Sequence, residues 1–473
     1  LLEGLEIIEI LKSDLEYSGR IDSEYYRKHL LSFEKQVCKN NYTALNSVAN
    51  FLIGPFGSAF DTENYVENGE YRYVRGQDVK PFILKDGENR FVPFDDYERL
   101  KKYALKEKDI LVSVVGTLGN ACIVQTKDLP AIFSCKSTVI RISKINPVYI
   151  LTFLNCKYGR ELLIRKERGA IQKGLNLDDL KTVIIPTYSE GFQKEIEKSF
   201  YKAQDKLTES KALYNSAETL LLETIGLNDF EPSTSPVNIK SFKDSFMLTG
   251  RLDAEYYQKK YHDIESHIKH HNRWDSLANL IIHIDTGEYS PEYFRKNEIE
   301  GLTFYIRSTN IKCGQIEFDD NYYVKKKNFV RMAKKGGIIT ARVGSLGVFG
   351  EIRDELNGAI YSDNVLCFYL PDYYIPSVYT LLFNSKFFFE MIDRLARGSV
   401  QQRLNQETLK DLIIPLIDYD KQRQISVLIE ESFALKVKSK RLLNVAKRAV
   451  EIAIEQDEET ATKWIQEQLN TNE

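Results

Sequence analysis

Asp179-Leu180-Lys181 has the spacing that ends a nuclease carboxylate-x-Lys motif, where an acidic group and a lysine would hold and polarise a hydrolytic centre. No second carboxylate accompanies it, and where the same phrase recurs later in the chain Thr408 stands in place of Asp179. An acidic helix start accounts for it better, because carboxylates complement the unpaired N–H groups there. The six histidines (29, 262, 267, 270, 271, 283) contain no H-E-x-x-H or other paired ligand spacing, and HIKHHNRW (267–274) reads as a polar loop. The six cysteines (38, 122, 135, 156, 313, 367) form no C-x-x-C pair, so reduced thiols are expected rather than a zinc site or a disulfide framework. VGTLG (115–119) and VGSLG (343–347) lack both phosphate-loop patterns and read as turns in which Gly supplies φ > 0. An amino-methyltransferase needs a [DNS]-P-P-[YF] loop, and the chain contains no Pro-Pro. The expectation is a chain that is not an enzyme, with no catalytic residues, no metal and no cofactor.

What remains is polar and basic side chains and the elements that present them. The 473 residues are 43% hydrophobic and 28% charged, which suits a soluble globular protein with substantial cores. No apolar run nears the ~20 residues of a membrane helix, and no secretory signal opens the sequence, so a cytoplasmic location away from membranes is expected. The net charge of −3 argues mildly against a nucleic-acid partner, yet it hides local segregation. Residues 129–160 hold five basic and no acidic residues (Lys136, Arg141, Lys144, Lys157, Arg160). Residues 321–350 hold seven and none (Lys325, Lys326, Lys327, Arg331, Lys334, Lys335, Arg342). The acidic stretch 455–473 is expected to fray or to cap a helix end.

The chain says things twice. GRIDSEYY (19–26) returns as GRLDAEYY (250–257), matching at six of eight positions. YVRGQDV (73–79) returns as YIRSTNI (305–311), VVGTLGNACIV (114–124) as RVGSLGVFGEI (342–352), and RGAIQKGLNLDDLKTVIIP (168–186) as RGSVQQRLNQETLKDLIIP (397–415). The preserved order implies two homologous modules, each large enough for its own core. Within a module, DILVSVVG, STVIRIS, GGIITARVG and NVLCFYL read as strands, while 149–167 and 378–396 carry helical apolar spacing.

After each IIP the texture changes. Ile196, Phe200, Ala203, Leu207, Ser210, Tyr214, Ala217 and Leu221 alternate steps of four and three, a coiled-coil seam of roughly 50 Å at about 1.5 Å per residue. After Pro415 the seam runs Ile425, Ile429, Leu443, Ala446, Val450, with Ser432 and Lys436 replacing apolar residues, so part of it should meet something polar or another chain. PSTSP (232–236) marks the break before the second module. The expected fold is α+β: two homologous mixed α/β modules separated by two long antiparallel coiled-coil helices with a pseudo-two-fold. The expected divisions are residues 1–188 (module one), 189–228 (central helix), 229–417 (module two) and 418–473 (distal helix and acidic tail).

Taken together, the paired GR-x-D-x-E-Y-Y openings, GPFGSAF (54–60) before YVRGQDV, the closing LNLDDLKTVIIP and the long helix after it resemble the DNA specificity subunit of type I restriction-modification systems over essentially the whole chain. The resemblance implies two target-recognition domains that each read half of a split double-stranded DNA site. It also implies partners: modification (methyltransferase) subunits in two copies, and restriction (endonuclease/translocase) subunits. Where GPFGSAF should recur the second module has DTGEYSPEYF (285–294), a departure that suits modules reading different sequences. Base reading requires polar side chains on loops between strands. The candidates are Ser58, Arg75, Gln77, Thr117, Lys136, Gln172 and Lys173 in module one, and Arg307, Thr309, Asn310, Arg342, Ser345, Gln401 and Arg403 in module two. The seam residues Ile196, Phe200, Leu207, Tyr214, Leu221, Ile425, Ile429, Leu443 and Val450 are the candidates for partner binding. Arg20, Asp22, Arg251 and Asp253, shared by both openings, suit bracing a module or meeting a partner. Two rivals stay open: a specificity-like subunit of another DNA-targeting defence complex, and a coiled-coil scaffold that binds no DNA.

The missing catalytic motifs generate a first test. Purified alone and incubated with DNA and a radiolabelled methyl donor, the chain should incorporate no label and cleave no duplex. Methyl transfer by this chain without any partner would overturn that expectation.

Overall fold

The computed structural model of the chain describes residues 6–55, 59–66, 68–87, 89–169, 171–344, 346–397 and 402–470. They form two compact units, one built from the chain up to Leu207 together with the chain from Val437 onward, the other from Thr208–Lys436. Both divisions fall inside the long helices Glu190–Thr224 and Tyr419–Glu455, so neither helix is a domain of its own.

In the first unit a four-stranded antiparallel sheet runs in the order Ala49–Ile53, Ser137–Ile142, Ile110–Ser113, Ala121–Ile123. Beside it lies a three-stranded sheet with Tyr71–Val74 central, antiparallel to Phe91–Val92 and parallel to Ala131–Phe133. Ile110–Ser113 is buried along its whole length, as expected of an inner strand covered on both faces. The second unit repeats the plan: His283–Thr286, Val365–Tyr369, Ile338–Ala341, Phe349–Glu351 in one sheet, and Tyr323–Lys325, Leu302–Ile306, Ile360–Tyr361 in the other. In both, the IIP phrase is a strand pairing with the module's beginning, Ile184–Pro186 with Tyr42–Ala44 and Ile413–Pro415 with Trp274–Ser276, which closes each module on itself.

Three sequence expectations are corrected. The helical stretches 149–167 and 378–396 each contain two helices, Pro147–Asn155 with Lys157–Ile164, and Pro376–Asn384 with Lys386–Leu395. In the first, Cys156 is extended at ψ 169°, and a side chain on Gly159 would lie 1.9 Å from the Phe153 carbonyl oxygen, so only glycine permits the sharp turn. HIKHHNRW is only partly a loop: Lys259–His271 is helical, Trp274 begins a strand, and the His267 ring lies 4.2 Å from that of Phe230. The acidic stretch does not fray through its described part either, because Glu458–Asn470 is a helix that buries Ala461, Ile465 and Leu469 in the first unit's core. Glu459, Lys463 and Glu467 are exposed, while Glu458 sits on the side of Ala461 and Ile465 and accepts from the Ser189 N–H at 3.1 Å.

Each long helix is fixed to the module of its own unit by a buried glutamine. Gln193 donates to the Tyr188 carbonyl at 2.9 Å and accepts from the Asn146 N–H at 2.9 Å. Gln422 does the same, at 2.8 Å to Ile417 and 2.8 Å from Ile375. Both amides therefore satisfy a backbone group preceding a helix of the module, which a buried chain end would otherwise leave unpaired. In the first unit the helices run antiparallel, with Ser199 donating to Leu442 O at 3.0 Å and Ser439 to Ala203 O at 2.7 Å.

The repeated octapeptide is a brace. Arg20 donates from Nε and Nη2 to the Asp22 carboxylate at 2.8 and 2.5 Å and reaches the Glu167 carbonyl at 2.7 Å, while its guanidinium lies 4.6 Å from the Tyr25 ring centre. Arg165 covers the same ring at 4.0 Å, donates to the Tyr25 carbonyl at 2.7 Å and pairs with Glu34 at 2.6 Å. In the second unit Arg251 and Arg394 both lie 4.3 Å from Tyr256; Arg251 pairs with Asp253, and Arg394 pairs with Glu265 at 2.6 Å. Tyr26 and Tyr257 each donate to the carbonyl of their brace arginine at 3.0 Å.

Hydrogen bonds from the arginines hold the Asp22 and Asp253 carboxyls below the usual carboxylate range. A depressed folded-state pKa stabilises the fold above the unfolded value of about 4, and that contribution disappears as pH falls through the folded value. Asp22→Asn and Asp253→Asn should therefore lower Tm at pH 7, with the deficit shrinking below about pH 4. Arg165→Ala, which strips a buried cation from its ring and carboxylate, should cost about 3 kcal/mol in denaturant unfolding. A Tm deficit for the aspartate variants that stays constant with pH would contradict the electrostatic account.

Candidate nucleic-acid interface

At one end of the strands in module one, backbone hydrogen bonds join the loops that carry the sequence candidates. The Ser134 N–H donates to Val74 O at 3.0 Å, Val114 N–H to Lys136 O at 2.9 Å, and Leu175 N–H to Val114 O at 3.0 Å. Module two repeats the stitch: Ser362 to Ile306 at 2.9 Å, Arg342 to Asn364 at 2.8 Å, and Leu404 to Arg342 at 3.0 Å. The loop departure at GPFGSAF is smaller in space than in sequence. A side chain on Gly54 would lie 2.5 Å from the Ser134 carbonyl, and one on Gly287 2.5 Å from the Ser362 carbonyl, so both modules use a glycine to let this loop press on the same backbone. Beyond Gly287 the second module's loop has exposed Tyr289 and Tyr293.

The glycine turns behave as expected, with φ of 84° and 73° at Gly116 and Gly119 and of 90° and 74° at Gly344 and Gly347. Thr117 is exposed on the first turn. Lys136, Gln172 and Gln77 are also exposed, as are Thr309 and Arg403 in module two. Thr117, Lys136, Gln172, Thr309 and Arg403 have no side-chain hydrogen bond or ion pair among the described residues. Other candidates are engaged within the fold. Arg75 grips Asp78 at 3.0 and 2.8 Å, capping its own short helix. Lys173 pairs with Glu167. Arg307 pairs with Asp319 at 3.1 Å and lies over the Tyr322 ring at 3.0 Å. Buried Asn310 accepts from Arg307 N–H at 2.9 Å and donates to Glu317 O at 3.0 Å. Arg342 donates to the Asp363 carbonyl at 3.2 Å. Ser58, Ser345 and Gln401 lie outside the described residues.

The basic stretches are also partly neutralised. Arg141 is held by Asp109 at 2.8 and 2.7 Å, and Arg160 caps the turn at Gly119 O (3.3 Å) and Asn120 Oδ1 (3.2 Å). Lys325 pairs with Glu292 at 3.8 Å and Lys335 with Asp354 at 2.8 Å. Lys136 and Lys144 in module one, and Lys326, Lys327 and Lys334 in module two, are exposed and form no ion pair among the described residues. Near the second stitch, burial and a bond to the Asp285 carboxylate push the Tyr361 phenol well above its ordinary pKa, and burial raises Tyr305. In module one burial raises Tyr73 to about 12. These phenols stay neutral and serve as hydroxyl groups, not as bases. Among the described residues no group of three or more His, Cys, Asp or Glu could hold a metal ion, and no helix is long and apolar enough to cross a membrane.

The seam residues assigned to partners are enclosed by the chain itself. Ile196, Phe200 and Val450 are buried in the first unit's core, with Leu443 packed against it. Leu221, Ile425 and Ile429 are buried in the second unit's core, with Tyr214 against it. Leu207 is half-buried. The modules' own apolar helices fill the seam. The polar interruption meets polar groups of the same unit: Ser432 donates to Ser210 O at 2.7 Å, and Lys436 to Gln315 Oε1 at 2.7 Å.

Sequence motifs found Arg20 and Arg251 as bracing candidates but missed Asn364, the clamps Gln193 and Gln422, and Arg165 and Arg394, although the clamp residues recur in the two modules at matching places; reading the two halves in register would have exposed them.

No protein-family model matches the chain, and no curated protein does. Solved structures do. A crystal structure of a type I restriction-modification S subunit from M. genitalium aligns over 90% of this chain and 96% of its own, at 13% identity and a TM-score of 0.38. A chain from a structure on complex assembly and conformational transition of the type I R-M system covers 88% and 98%, at 13% identity and 0.29. The HsdS subunit from Thermoanaerobacter tengcongensis covers 88% and 97%, at 13% identity and 0.27.

Proposed function

We propose that this chain is the sequence-reading component of a DNA-targeting complex of the type I restriction-modification kind. In this reading each module recognises one half of a split duplex site, and modification and restriction subunits supply the chemistry. The observation that carries the reading is one stitched backbone frame built twice with different polar side chains. Lys136 stands where the second module has Asn364, Gln77 where it has Thr309, and Gly174 where it has Arg403. A frame kept while its polar groups change is what two readers of two different half-sites require, since phosphate contacts position a protein and base contacts specify the sequence. Exposed, unpaired lysines on both modules supply phosphate neutralisation despite the net charge of −3.

The scaffold alternative is weakened, because the seam it would offer to other chains is occupied within each unit. A related defence complex would use the same modules; the proteins that copurify with the chain identify which complex it serves.

Exchanging Tyr42 to Pro186, the stretch closed by its own terminal strand pair, for the corresponding module of a homologue should change one half of the bound DNA sequence and leave the other half intact. Selection of bound duplexes from a random library by the full complex provides the readout. Changes in both halves would overturn the assignment of one half-site to each module. Binding should also weaken steeply with salt, by about 0.9 log units in affinity per log unit of salt for each phosphate neutralised.

A further inference from the structure

We infer that one position in each module reads a base edge, occupied by Lys136 in the first and Asn364 in the second, and that the two select different bases. The inference deepens the DNA-reading function above and rests on it. Each residue immediately precedes a central strand, Ser137–Ile142 or Val365–Tyr369. Each is fixed through its main chain on both sides. The Lys136 N–H donates to Ser134 Oγ at 3.4 Å and its carbonyl accepts from Val114 at 2.9 Å; the Asn364 N–H donates to Ser362 Oγ at 3.2 Å and its carbonyl accepts from Arg342 at 2.8 Å. The side chain is exposed in both.

Neighbouring arginine and asparagine candidates are engaged within the fold, whereas this position is exposed in both modules. In module one Arg75 is spent on Asp78; in module two Arg307 is spent on Asp319, and Asn310 on its own turn. In module one Gly76 packs closely against this position: a side chain on Gly76 would lie 2.7 Å from Lys136 Cβ, so glycine makes room for the lysine. Asn364 has one long contact of its own, 3.5 Å from Nδ2 to Asp363 Oδ1. A polar side chain on a rigid main chain is placed for base contact without the entropy of ordering a loop.

The chemistry of the two side chains differs in a way that assigns their targets. A lysine ammonium donates only, which suits the O6 and N7 acceptors of guanine; an asparagine amide donates and accepts, which suits N7 and N6 of adenine. The charge at this position is not kept between the modules: Lys136 is a cation and Asn364 is neutral.

The test is selection from a randomised duplex library by the full-length chain with its copurifying subunits, for the wild type and for Asn364→Ala, Asn364→Lys and Lys136→Asn. Both side chains are exposed, and thermal melting checks that the variants fold. Asn364→Ala should lower the preference for one adenine in one half-site at least tenfold, and Asn364→Lys should move that position toward guanine. Lys136→Asn should alter one position in the other half-site only. Unchanged motifs in all three folded variants overturn the inference while leaving the DNA-reading function standing. So does a uniform loss of affinity across sequences with a salt slope smaller by about 1, the signature of a phosphate contact. A wild-type complex that enriches no sequence overturns both.

Discussion

Each module's candidate surface depends on backbone hydrogen bonds at the strand ends, which join loops from distant parts of the sequence. Val114 both donates to Lys136 and accepts from Leu175, so one residue ties three segments; Arg342 does the same for Asn364 and Leu404. These bonds are made by the main chain and place no demand on side-chain identity. The frame therefore persists while the side chains it displays diverge, and a duplicated module can acquire a second specificity without losing its fold. Gly54 and Gly287 are constrained instead, because each lies against a carbonyl that any Cβ would strike.

Legibility in the sequence follows from this division of labour. The duplication, the strands and both long helices were readable because they rest on local periodicity and repeated phrases. The helix breaks at Cys156 and Ser385 were not, since the apolar spacing continues through them and only the tertiary turn interrupts it. The helix that buries Ala461, Ile465 and Leu469 was hidden by its acidic residues. Among the site candidates, position in a loop was legible and occupancy was not. Arg75, Arg307 and Asn310 look like DNA-contacting residues in sequence, but in space they cap short helices, because arginine and asparagine serve turns and nucleic acids through the same donors and acceptors.

The long helices illustrate the same limit. A heptad seam states that one face will be buried, without stating by what. Here the answer within each unit is the module's own helices and the other long helix. The polar interruption at Ser432 and Lys436, which in sequence invites an outside partner, is satisfied by Ser210 and Gln315. In the proposed reading, partner subunits dock on exposed faces outside the seam.

Net charge is a poor guide to function here for a related reason. Acidic residues hold several of the basic ones in place, as Asp109 holds Arg141 and Glu34 holds Arg165, so some of the cations that a formula counts are structural. What a polyanion would meet includes exposed lysines such as Lys136 and Lys144 in one module and Lys326, Lys327 and Lys334 in the other. The sequence-independent part of binding grows with each phosphate neutralised. In the proposed reading, the lysines supply general attraction to the duplex and the pre-set loops supply discrimination between sites.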